Sequence, residues 1–324
     1  MAQRLATVFG GSGFIGRYVV RNLARDGWLV RVAVRRPDDA LFLKTAGVVG
    51  QVTPLAANVR DRASVARAVA GVGAVVNLVG ILHERGRQRF QAVQADGART
   101  IAEEAAQAGA AQFIHVSAIG ADPNSSSSYA RTKAEGEAAV RQAFPGATIL
   151  RPSIVFGPED DFFNRFARMT RLSPALPLIG GGRTRFQPVY VGDVAEAIVT
   201  AIETPATAGQ TYELGGPTVY TFAELMRLLL DELGRKRLLM PLPFPVASLM
   251  GYVAQAATSG VNALVPVLPG PAITADQVRL LRRDNVVSEG ANDLASLGIT
   301  PTAVEVILPT YLDRFRARGY YHRP

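Results

Sequence analysis

Residues 5–17 read Leu5-Ala6-Thr7-Val8-Phe9-Gly10-Gly11-Ser12-Gly13-Phe14-Ile15-Gly16-Arg17, and this stretch decides the fold. A short apolar run is followed at once by G-x-x-G-x-x-G, and then by an amphipathic segment, Phe14–Arg25. Small residues there let the backbone approach a pyrophosphate. The helix that follows offers unpaired N–H groups and the positive end of its dipole. Among 31 glycines such a spacing carries little weight alone. Between a first strand and a first helix it becomes specific.

Outward from that loop, apolar runs alternate with helical stretches. Leu29–Val34, Val52–Ala56, Ala74–Val79, Gln112–Ser117 and Ala147–Leu150 read as strands. Arg62–Ala70, Phe90–Ala108 and Tyr129–Phe144 read as helices between them. Val- and Ile-rich strands without strict alternation suit a sheet covered on both faces. The expected class is α/β, a doubly wound parallel sheet of Rossmann type with a smaller C-terminal substrate-side region. Residues 1–155 form the expected dinucleotide-binding domain, its sheet completed by about 186–214. Residues 156–185 and 215–324 form the smaller substrate-side or docking region, in which Thr221–Leu233 reads as an amphipathic helix.

Two further stretches carry chemistry. The second strand ends in Val34-Arg35-Arg36-Pro37 where an NAD-specific site usually places an acid for the adenosine ribose. A guanidinium can instead pair with a 2′-phosphate, so Arg35 and Arg36, with Arg17 as helper, predict NADP(H). Tyr129 and Lys133 stand four residues apart at a helix start, on one face. There an ammonium can lower a phenol's pKa and bind a nicotinamide ribose, while the phenol serves as acid or base. With nine tyrosines and three lysines in the chain, this spacing is more specific than the glycines.

Together these features resemble the extended or atypical branch of the short-chain dehydrogenase/reductase superfamily, over roughly residues 5–202. The resemblance includes Asn77-Leu78-Val79-Gly80 at a strand end and Arg151-Pro152-Ser153-Ile154-Val155-Phe156-Gly157-Pro158. It implies a nucleotide lined by Gly10, Gly11, Ser12, Gly13, Phe14, Ile15, Gly16 and Arg17. Asn58 would lie near the adenine and Leu78, Val79 and Gly80 on the nicotinamide side, with Val59, Ser117, Tyr129, Lys133, Arg151, Pro152 and Ile154 as further binding residues. Active members of the branch carry two hydroxyl residues after the fifth strand. Here the pair reads Ser117-Ala118. Ser117 is thus a doubtful third member of the triad, expected to point away from the site. The serines of 125–128 are candidate substitutes. Nucleotide binding looks intact and catalysis incomplete.

Composition narrows the classes. The net charge is +8, carried by 32 arginines and three lysines, with no cysteine and three histidines. Disulfides and thiolate chemistry are excluded, and no metal site is expected. No zinc-finger or RNP-like pattern accompanies the charge, so nucleic acid is not an expected partner. The N-terminal sequence lacks a signal-peptide pattern, which predicts a cytosolic or cytosol-facing protein.

Residues 238–275 carry no charge, and their prolines exclude one continuous helix. Preceded by Arg235-Lys236-Arg237, the stretch suits a surface resting on anionic lipid or a large partner, and equally a lid or core helix. Phe156–Ala167, Leu178–Val191, Asp276–Val287 and Gly298–Phe315 resemble the nucleotide-binding accessory subunit of respiratory complex I and its bacterial relatives. That resemblance implies an NADPH held for stability without turnover, and other complex I subunits as partners. It places the protein peripherally on the cytoplasmic face of the inner membrane. The alternative is a soluble NADP-dependent reductase, epimerase or dehydratase.

Overall fold

The computed structural model describes residues 4–249 and 274–316. Seven parallel strands form the central sheet: β1 (Leu5–Phe9), β2 (Leu29–Val34), β3 (Val52–Ala56), β4 (Ala74–Asn77), β5 (Gln112–Val116), β6 (Thr148–Pro152) and, much later in the chain, β11 (Thr211–Leu214). Their order is β11-β6-β5-β4-β1-β2-β3. The winding reverses between β1 and β4, and a crevice opens there beyond the strand ends. This is the doubly wound sheet expected from the sequence.

Helices cover both faces. α1 (Phe14–Arg25) packs beside α6 (Val191–Glu203) on one face, and Val19, Val20, Leu23, Val194 and Ile198 share its core. α2 (Arg62–Val69), α3 (Asp96–Gln107) and α4 (Ser128–Ala143) cover the other, around Phe113, Ile101, Val140 and Ile149. The stretch of about 186–214, expected to complete the sheet, contributes α6 and β11. Within it Val189–Tyr190 form β10, which pairs outside the sheet with β7 (Val155–Phe156).

Beyond the sheet, α5 (Phe162–Leu172), α7 (Phe222–Glu232) and the helix Val304–Leu312 enclose a second core of Phe156, Phe163, Phe166, Phe186, Phe222 and Leu312. Thr221 and Glu224 form a capping box at the start of α7. β9 (Arg185–Phe186) pairs antiparallel with β12 (Tyr220–Thr221). β8 (Ala175–Ile179) pairs in parallel with β13 (Leu238–Leu242).

The long helix expected over Phe90–Ala108 starts with a π-helical turn, Gln91–Ala95, before α3. This turn packs closely on α4, where a Cβ at Gly136 would overlap the backbone oxygen of Gln94. Buried Gln94 uses this proximity. Its Nε2 donates to Ile81 O at 2.7 Å, and its Oε1 accepts from Thr132 Oγ1 at 3.3 Å. The widened turn thus ties the wall after β4 to the helix bearing Tyr129 and Lys133.

Of the charge-free stretch, residues 250–273 lie outside the described residues. Before them, Leu238, Met240, Val246 and Leu249 are exposed, while Ala247 packs with Ile179 and Val278. The preceding basic cluster is less free than its sequence suggests. Arg235 Nε donates to Phe315 O, and Arg237 Nε to Thr170 O. No helix among the described residues is long and apolar enough to cross a membrane.

Replacing Gly136 by Ala should destabilise the fold by about 1–3 kcal/mol, the usual cost of forcing an extra methyl into close packing. Urea denaturation measures this, and an unchanged midpoint would refute the close approach.

Candidate functional site: a dinucleotide cleft

The glycine loop is shaped by contact distances. Gly10 has φ +79°, and a Cβ at Gly16 would overlap the Gly10 oxygen and the Gly11 Cα. The Gly13 N–H donates to Gly10 O at 3.0 Å and closes the turn. No side chain caps the N-terminus of α1, and its first turn holds no acid. Its orphan N–H groups and dipole therefore remain available to an anion.

A cavity of about 630 Å³ opens beside this loop at the switch point. Gly10, Ser12 and Gly13 of the loop line it, together with Arg35 and Arg36 after β2, Asn58 and Val59 after β3, and Leu78, Val79 and Gly80 after β4. Ten of the sequence-derived candidates therefore meet in one cleft. A glycine-built floor, an uncapped helix start and a guanidinium-lined end fit a dinucleotide with its phosphates over α1.

Four other candidates, Gly11, Phe14, Ile15 and Gly16, do not line the cavity and instead shape or begin the helix. Arg17 is turned elsewhere: its Nη1 pairs with Glu159 at 3.1 Å, and its guanidinium sits 5.3 Å from the Phe42 ring centre. Ile154 packs against the second core. Pro152 is buried, its carbonyl accepting from the Ile119 N–H. Arg151 is held by carboxylates. Its Nε and Nη2 form two bonds with Glu137, at 2.9 and 2.7 Å, and its Nη1 stands 3.5 Å from Glu213. Both acids are buried, so Arg151 is a charge-balancing residue in this structure.

Tyr129 and Lys133 stand on the first turns of α4, over the end of β5. Lys133 is buried, its Nζ donating to Val116 O at 3.2 Å and lying 3.4 Å from where a Gly80 Cβ would stand. It therefore stands behind Gly80, which lines the cavity, while Lys133 and Tyr129 themselves do not. Burial pulls this ammonium down to about 8. The Tyr129 phenol differs from the sequence expectation. Lys133 Nζ lies 6.0 Å from its ring centre, and burial pushes the phenol up to about 12. The desolvation of the ring outweighs an ammonium directed at a carbonyl. Phenolate is thus scarce at neutral pH, though a neutral phenol can still donate.

Ser117 is buried next to Val116 with no hydrogen-bond partner for its Oγ. The serine run does not replace the missing hydroxyl. Ser127 Oγ caps α4 by accepting from Ala130 N–H and donates to Asp276 at 2.7 Å. Ser125 Oγ accepts from Ser127 N–H, and Ser128 Oγ from Arg131. The helix start consumes these hydroxyls. In the loop after β4, Glu84 accepts from Phe90 N–H at 2.8 Å and His83 is exposed.

Three features escaped the sequence reading. Asp39 lines the cavity and pairs with Arg36 at 2.7 Å; its position three residues after Arg36, at a turn, was the available signal. Asp276 accepts from the backbone N–H of Ser128 and of Tyr129, at 2.9 and 3.2 Å. No local pattern announces that contact. His115 is buried on β5 with Asn77 Nδ2 at 3.1 Å from its Nδ1 and no partner for Nε2. Burial, aided by the nearby Lys133 charge, drops its pKa to about 3, so the ring stays neutral.

A switch-point cleft, glycine floor and Tyr–Lys helix together define a nicotinamide-dinucleotide-binding Rossmann protein. Residues 6–215 match the NAD dependent epimerase/dehydratase family, and the chain belongs to that family. It is 38% identical, over 97% of its own length and 79% of the relative's, to NADH dehydrogenase [ubiquinone] 1 alpha subcomplex subunit 9, mitochondrial, of Arabidopsis thaliana. It is also 34% identical to a ceramide reductase of Caulobacter vibrioides, covering 81% of this chain and 80% of that one. Among solved structures, the triphenylmethane reductase of a Citrobacter species superposes with a TM-score of 0.73 at 20% identity, over 95% and 99% of the two chains. That likeness is one of fold.

Replacing Arg151 by Met strands two buried carboxylates, which should cost about 2–4 kcal/mol in a denaturant titration. Adding Glu137→Gln should recover part of it. No loss in the single variant would mean that the ion pairs are dispensable.

Proposed function

We propose that this chain is an NADPH-holding accessory subunit of respiratory complex I, in which the nucleotide secures the fold and is not turned over. The observation that carries the reading is similarity across nearly the whole chain to a complex I subunit. Ala118 in place of the second hydroxyl supports the absence of turnover. Arg35 and Arg36 at the adenosine end of the cavity support NADP(H) over NAD(H), because a 2′-phosphate needs cations there and a ribose hydroxyl does not. Other complex I subunits are the proposed partners, and the proposed place is the cytoplasmic face of the inner membrane. The exposed Leu238, Met240, Val246 and Leu249 would face lipid or a membrane-bound neighbour.

In this role Ser12, Gly13 and the start of α1 hold the diphosphate, and Asn58 and Val59 border the adenine. Leu78, Val79 and Gly80 back the nicotinamide, while Lys133 donates to its ribose. A bound NADPH would supply a hydride donor, but here the chain's own residues only orient and enclose it. One specific observation favours a second reading, a soluble NADP-dependent reductase: Tyr129 and Lys133 are both present on α4, as they are expected to be in an active reductase.

Native membranes solubilised gently and separated by native electrophoresis test the proposal. The chain should migrate with NADH:quinone oxidoreductase activity, and acid should release NADP(H) from the purified protein. A soluble monomer that reduces a carbonyl substrate with NADPH, and loses this in Tyr129→Phe, would establish the second reading instead.

Lys133→Met separates binding from folding. Carrying an ammonium into a buried site is costly, so the nucleotide-free variant should melt no lower than the unmodified protein at pH 7. Its thermal shift on adding NADPH should largely vanish. In the unmodified protein, NADPH affinity should fall as pH rises through about 8, where Lys133 loses its proton. A full thermal shift in the variant would remove Lys133 from the site.

A further inference from the structure

Two of the three arginines that could meet a 2′-phosphate are already paired with carboxylates. Arg17 pairs with Glu159, which does not line the cavity. Arg36 pairs with Asp39, which does. Its Nε and Nη2 each lie 2.7 Å from the same oxygen, Asp39 Oδ2. Among the described residues no carboxylate pairs with Arg35.

The backbone holds this arrangement. Pro37 opens the 3-10 segment Pro37–Ala46, and the Asp39 N–H donates to Arg36 O at 3.2 Å. The turn thereby brings Arg36 and Asp39 face to face, with both side chains exposed to solvent. The Asp39 carboxylate sits on Arg36 where a phosphate oxygen would otherwise bind, and its other oxygen, Oδ1, is an acceptor for a ribose hydroxyl. Together Arg35, Arg36 and Asp39 sum to one positive charge, and without Asp39 they sum to two.

We propose that Asp39 sets the nucleotide preference of this cleft: it competes with a 2′-phosphate for Arg36 and offers an acceptor to an unphosphorylated ribose, so the site also admits NAD(H). The inference rests on the NADP(H) reading above. A carboxylate beside a phosphate dianion weakens its binding through screened repulsion. The same carboxylate accepts a hydrogen bond from a 2′-hydroxyl.

The test measures dissociation constants of NADPH and NADH by nicotinamide fluorescence, at low and high salt. The full chain, Asp39→Asn, Asp39→Glu, Arg36→Ala and the Arg36→Ala/Asp39→Asn pair are compared. Asp39→Asn should tighten NADPH roughly three- to tenfold at low salt and weaken NADH, with the NADPH gain shrinking as salt rises. Asp39→Glu should keep the unmodified ratio, and in the Arg36→Ala background the Asn gain should disappear. An NADPH-to-NADH ratio unchanged by Asp39→Asn, in a protein whose melting temperature is preserved, overturns the role of Asp39. If the unmodified protein prefers NADH and Arg36→Ala leaves NADPH binding untouched, the NADP(H) reading itself fails, whatever Asp39 does.

Discussion

A methyl group on Gly16 would overlap the Gly10 carbonyl oxygen and the Gly11 Cα, so α1 can begin where it does only because that position lacks a side chain. This close approach aims the helix axis at the end of β1. It leaves the first-turn N–H groups facing the crevice and lets Val19, Val20 and Leu23 meet the sheet. The helix start is uncapped because its N-cap residue, Gly13, has no side chain. A folded protein tolerates such unsatisfied donors where solvent or an anion can reach them. The packing of the first βαβ unit and the anion site are therefore one feature. A residue that filled the gap would damage both.

Around that loop the structure buries polar groups with incomplete partners. Lys133 has one protein acceptor, Val116 O, for three donors. Ser117 Oγ and His115 Nε2 have none. Such groups cost stability when buried unpaired. They lie under the β4–β5 side of the cleft, where Asn77 links Val79 N–H to His115. A bound nucleotide that supplied even one acceptor to Lys133 would stabilise the fold at its least satisfied place. That is a physical reason for a protein to retain a nucleotide it does not consume.

The sheet was legible because its strands are buried on both faces and written as Val- and Ile-rich runs. Six of the seven lie within two residues of where the sequence puts them. The seventh, β11, read only as a stretch returning to the sheet, because a four-residue strand is too short to carry its own period. The glycine loop, Arg35–Arg36 and Leu78–Gly80 were legible because their chemistry sits in contiguous residues. Long-range partners were not. Arg151 reads as a nucleotide ligand in its motif, yet Glu137 and Glu213 claim it from other elements. Asp276 reaches the start of α4 from 149 residues beyond Ser127. The π-helical turn before α3 packs on Gly136, an unremarkable helical glycine until its neighbour is known.

The Asp276 contact also bears on how the protein is made. α4 receives its carboxylate cap from a residue in the last fifth of the chain. Asp160 and Asp193 likewise bind Tyr311 and Thr302. During synthesis the Rossmann strands emerge and can pair while these partners are still within the ribosome. The Tyr129 helix then waits with its first N–H groups bonded to water. Contacts of such sequence separation slow the final folding step and lengthen the exposure of apolar surface. The start of the Tyr129 helix therefore gains this contact only after residue 276 has been made.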